Sequence, residues 1–95
     1  MTAPLVMPTE LTIYTAAETR QAWLAALAEA GDGPLRLAAD SVAEADAAGV
    51  QLVLALSRSL AERSRSLRLV DPSPALRGAC ERLGLSALLS SGDAA

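Results

Sequence analysis

The chain has 95 residues, 52% of them hydrophobic, and a formal net charge of −3 at pH 7, which fits one folded domain and excludes a disordered chain. With no His and one Cys, His/Cys metal centres, His-based catalytic dyads and an internal disulfide are excluded, and the lone thiol fits a reducing compartment. All eight basic residues are Arg against 11 acidic ones, and the only aromatics are Tyr14 and Trp23, which argues against nucleic-acid recognition by charge or by base stacking.

The opening MTAPLVMPTE has neither a basic flank nor a long apolar core and does not read as a secretory signal. Leu5–Met7, then Leu11–Ile13 after Pro8, read as two short strands. Thr15-Ala16-Ala17-Glu18 has the spacing of a capping box, and a helix is expected from there to about Ala30, stopped by Gly31. Leu24 and Leu27 mark its buried stripe, with Trp23 on the flank. Residues 35–39 and 66–70 each alternate leucine with arginine, placing Arg36 and Arg68 on the opposite face from the leucines. Between them a second helix runs from Asp46, as N-cap, to about Arg63. Ser73 and Pro74 start a third helix that ends at Gly84, where Leu85 should fold back on Cys80. A final turn, 86–89, precedes a polar tail from about residue 90. No linker, repeat or low-complexity tract divides the chain, so residues 1–95 read as a single domain. Strands alternating with helices imply a small α/β domain with a mixed sheet, covered by helices mainly on one face. The apolar run from Ala45 to Leu56 is interrupted by Asp46 and Gln51 and is too short to span a bilayer.

The second helix is the most informative segment. At about 100° per residue, Val50, Leu52, Val53, Leu54, Leu56 and Leu60 form a broad apolar arc that must pack on the sheet. The opposite arc holds Ala47, Ala48, Gln51, Ala55, Arg58, Ser59 and Glu62, and carries little bulk at its start. Gly49 points toward the sheet, where a missing side chain permits close approach. A smooth helix start with free N–H groups is a candidate docking surface.

Thr9-Glu10-Leu11-Thr12, Thr15–Glu18, residues 42–50 (VAEADAAGV), Leu67–Val70, Pro72–Pro74 and Leu83-Gly84-Leu85 occur in the order and at the spacings of a STAS domain. The chain resembles that family, the sulfate transporter and anti-sigma factor antagonist domains, over nearly its whole length. The resemblance implies a STAS-like α/β fold with a four- to five-stranded mixed sheet. It also implies a bacterial, cytoplasmic, non-enzymatic module without cofactor or metal, which binds a partner kinase of the anti-sigma type, or a transporter ATPase, through the start of the second helix. Here that surface is Asp46, Ala47, Ala48, Gly49, Gln51 and Arg58. In regulated members the residue after the Asp is a phosphorylated Ser or Thr. This chain has Ala47, which has no oxygen to accept a phosphoryl group. The acidic residue that usually ends the preceding strand falls at Ala38, with Asp40 and Ser41 shifted along.

The expected function is therefore that of an anti-sigma factor antagonist-like regulator in signal transduction, not switched by phosphorylation at Ala47. The alternatives are the small STAS subunit of a phospholipid-transport ABC system and a chemotaxis-associated STAS regulator. Ser41 is a displaced acceptor or a loop serine bonded to nearby backbone. Cys80 reads as a buried, inert thiol. Asp40, Glu44 and Asp46 lack the spacing of a Ca2+ loop. No membrane insertion is expected, and an uncovered sheet face leaves a homodimer open.

Overall fold

The computed structural model describes residues 5–29 and 33–92. Gly31, the expected stop of the first helix, lies outside them. In chain order the elements are β1 (Leu5–Val6), β2 (Glu10–Leu11), α1 (Ala16–Glu29), β3 (Leu35–Ala38), β4 (Glu44–Ala45), α2 (Ala47–Glu62), β5 (Leu67–Val70), α3 (Pro74–Arg82) and α4 (Ala87–Gly92). The α/β class is as expected, and five strands form among the described residues. They pair as two sheets, β1-β3-β5 and β2-β4, and the pairings are parallel where a mixed sheet was anticipated.

The division has a local cause. The β1–β3 ladder extends through the Met7 N–H, which donates to Ala38 O at 3.0 Å. Pro8 then has no N–H to give. Beyond it Thr9 O accepts from Ala43 N at 2.7 Å, so the same strand path changes partner from β3 to β4. Glu44 and Ala45, for which the sequence pattern predicts no strand, are thereby drawn into one.

Leucines fill the space between the sheets and the helices. Leu37, Leu69 and Leu11 are fully buried, and Leu35 and Leu67 lie beside them. Arg36 pairs in register with Arg68 on the other face; the former is exposed and the latter half-buried. From α2, Val50, Val53, Leu56 and Leu60 enter the core, while Leu52 and Leu54 are only half-buried. In α1 the buried positions are Thr19, Trp23 and Leu27, whereas Leu24 is 46% exposed. The stripe therefore recurs every four residues. Assigning it to Leu24, with Trp23 at the flank, rotated the helix away from its true inner face. The capping box also takes another form: Thr15 Oγ1 donates to Glu10 O at 2.7 Å and accepts from Thr12 N at 3.1 Å, facing the strand behind it. The expected final turn extends into α4, which packs on β5 and buries Leu88 and Leu89.

Ser73 caps α3 by accepting from Leu76 N at 3.1 Å, with Pro74 at the first helical position. Helices α2 and α3 end alike. Arg65 N donates to Leu60 O at 2.8 Å and Ser64 N to Ala61 O at 3.0 Å; Leu85 N donates to Cys80 O at 2.8 Å and Gly84 N to Glu81 O at 3.1 Å. Both are Schellman closures needing a left-handed residue. Gly84 supplies it at φ 72° in α3, but in α2 Ser64 is held at φ 57°. Replacing Ser64→Gly should raise stability by about 1 kcal/mol, since a left-handed serine carries a cost that glycine avoids. Urea denaturation reads this directly, and an unchanged or lower midpoint would show that the turn holds no such strain.

Candidate functional site

The start of α2 is built around one carboxylate. Asp46 takes an extended conformation, and its Oδ1 accepts from Gly49 N at 2.9 Å, as an N-cap does. Its Oδ2 accepts from Ile13 N at 3.1 Å, thirty-three residues earlier. Asp46 N donates to Leu11 O at 3.2 Å. The hydrogen bonds from Gly49 and Ile13 hold this carboxyl below the usual aspartate range, against an opposing effect of desolvation. Gly49 faces β2 as expected. A Cβ there would overlap the carbonyl oxygen of Leu11 and lie 2.6 Å from its carbon.

The segment joining β2 to α1 is equally well held. Tyr14 N donates to Thr12 Oγ1 at 3.2 Å, Thr12 Oγ1 to Glu10 Oε2 at 2.6 Å, and Thr15 N to Thr12 O at 3.0 Å. With the bonds to Thr15 Oγ1 and Asp46, every backbone N–H from Thr12 to Thr15 has a partner. At the tip of this turn Ile13 is 66% and Tyr14 87% exposed. The alternation in sequence predicts a strand through Ile13, but β2 ends at Leu11 and Ile13 and Tyr14 lie in the turn. The signal was present: hydroxyl residues flank an apolar pair, a pattern for side-chain-closed turns.

Of the residues singled out beforehand, Asp46, Ala47, Ala48, Gly49 and Gln51 come together at this tip. Ala47 and Gln51 are exposed, Ala48 is half-buried and Gly49 is buried beneath them. Arg58 is exposed on the same stripe but eleven residues on, about 16 Å along the helix at 1.5 Å per residue. Ser41 is exposed in the loop after β3. Asp40, Glu44 and Asp46 do not converge, and among the described residues no group of acidic or Cys side chains is placed to hold a metal ion. Cys80 is fully buried, and burial followed by the charge of Glu81 pushes its thiol pKa up. A shallow groove of about 260 Å3, lined by Leu5, Val6, Pro8, Glu18, Thr19, Ala22 and Trp23, involves no residue of α2.

The class of protein is set by these features: a small α/β domain whose second helix is pinned at its start and presents an open, small-residue tip. The family model described as "Mlab, STAS domain" matches residues 3–90. The chain belongs to the STAS domain family. No curated protein and no solved structure matches it.

Two substitutions test the architecture. Gly49→Ala should cost about 3 kcal/mol, because neither backbone can yield the space a methyl needs; a wild-type denaturation midpoint would contradict the close approach. Asp46→Asn keeps an acceptor for one N–H and loses the second, so it should lower the midpoint at pH 7 less than Asp46→Ala. The wild-type carboxyl has a folded pKa below its unfolded one. Its contribution is complete above about pH 4 and is lost as pH falls through the folded value. The gap between wild type and Asp46→Asn should therefore close in acid, and a gap independent of pH would refute the carboxylate's role.

Proposed function

We propose that this protein is a non-enzymatic protein–protein interaction module, an anti-sigma factor antagonist-like regulator in signal transduction. It docks a partner kinase or ATPase in the bacterial cytoplasm through Asp46, Ala47, Ala48, Gly49 and Gln51, with Arg58 at the far end of the stripe. The observation that carries this reading is the exposed start of α2, held rigidly against β2 by Asp46 and Gly49 with Ala47 open to solvent. A surface fixed in advance spends little free energy on ordering when it binds. The methyl of Ala47 cannot be phosphorylated, so docking here is constitutive with respect to that residue. Among the described residues no helix is long and apolar enough to cross a membrane.

The same methyl favours a second reading, the small STAS subunit of a phospholipid-transport ABC system. A subunit held permanently on its ATPase needs no switch atom.

Affinity purification from the native cell, with identification of the bound protein, separates the two: a kinase of the anti-sigma type supports the first and a transporter ATPase the second. Ala47→Asp should weaken that complex at least tenfold, about 1.4 kcal/mol, by placing a charge that must be desolvated on docking. Folding should be unaffected, because Ala47 is exposed and an acidic residue suits the first turn of a helix. An unchanged dissociation constant would remove this surface from consideration.

A further inference from the structure

We infer that Ile13 and Tyr14 are the anchor residues of the docking face, and that the surface they enter is an apolar socket rimmed by Lys or Arg on a different protein. This rests on the docking reading above and extends it to a second segment of the chain.

Three observations converge. First, Tyr14 and Ile13 are among the most exposed large apolar side chains, and they are adjacent. Their exposure contributes nothing to folding, whereas a tyrosine beside an aliphatic residue is a common energetic centre of an interface. Second, the turn carrying them is immobilised by its own hydrogen bonds and by Asp46 Oδ2 on Ile13 N at 3.1 Å. That bond makes the turn and the start of α2 one rigid unit, so the anchors sit beside Ala47 and Ala48. Third, the two segments that form this unit, 10–15 and 44–51, carry Glu10, Glu44 and Asp46 and no Arg. Glu10 and Glu44 are register neighbours on β2 and β4, and Glu44 is exposed. Glu10 also accepts from Thr12 Oγ1 at 2.6 Å, directly behind the turn. An apolar projection with an acidic surround is complementary to an apolar socket with a basic rim. A second copy offers a poor match: the apolar groove of this chain is lined by Glu18 and by no arginine, and Arg36 and Arg68 lie side by side in register on the sheet face.

The test uses photocrosslinking of the full chain in the native cell. p-Benzoylphenylalanine replaces Tyr14, Gln51 or, as a control, Leu24, which is 46% exposed on α1 and roughly 13 Å along that helix from Thr15. The partner captured is identified, purified and titrated against the wild type, Tyr14→Ala, Tyr14→Phe, Ile13→Ser and Glu44→Gln. The expected result is one crosslinked protein shared by positions 14 and 51 and absent at 24. Tyr14→Ala and Ile13→Ser should then each weaken binding at least tenfold, Tyr14→Phe should bind within about twofold of wild type, and Glu44→Gln should reduce the salt dependence. A crosslink from position 51 without one from 14, or full affinity for Tyr14→Ala, overturns the anchor while leaving the docking reading intact. Salt-independent binding overturns the basic rim. A crosslinked product of two copies of this chain overturns the choice of partner. No crosslink from either position overturns both the inference and the reading on which it rests.

Discussion

The carboxylate of Asp46 is the constraint on which the rest of the site depends. It spans two elements that are far apart in the chain, accepting from Gly49 N at 2.9 Å and from Ile13 N at 3.1 Å. Either bond alone would be an ordinary cap or an ordinary loop contact. Together they fix the distance and the angle between the start of α2 and the turn after β2. Gly49 then allows that distance to be short, because the space a side chain would need is taken by the backbone of Leu11. Cap, glycine and turn form one mechanical unit, and each member has meaning only with the others present.

This unit explains why small residues follow the cap. With α2 drawn onto β2, the side chains at positions 47 and 48 project at the edge of the contact. Alanine there keeps the edge smooth and gives the helix its best intrinsic former. The free N–H groups of the first turn are partly used by Asp46, so the tip is polar in its backbone and apolar in its side chains.

Much of this was legible in sequence because its causes are local. Asp46, Ser73 and Pro74 announce helix starts by their own chemistry, and the Leu-Arg-Leu runs reveal the two longer strands through their alternation. Gly49 could be placed toward the sheet from helical phase alone. What sequence did not reveal depends on partners distant along the chain. Residues Glu44–Ala45 become β4 only because Thr9 and Leu11 supply the other half of the ladder. The bond from Ile13 N to Asp46 joins positions 33 residues apart. The inner face of α1 was obscured by Thr19, a buried hydroxyl residue in the stripe with Trp23 and Leu27. A hydrophobicity pattern shifts its phase to Leu24 when one inner position is polar. Thr15 has the spacing of a capping residue, but its hydroxyl turns back to donate to Glu10 O at 2.7 Å.

The methyl of Ala47 has a physical consequence that reaches beyond the site. A hydroxyl at the first helical position allows charge to be added there covalently, and the affinity of the surface can then change while its geometry stays fixed. Without that atom no charge can be added covalently at position 47. Control over a complex made through this face must then come from elsewhere: from the amount of each protein, by mass action, or from changes of state in the partner. The locked turn and the close-packed glycine would suit such an arrangement, because a docking face that is not switched at position 47 gains by being rigid.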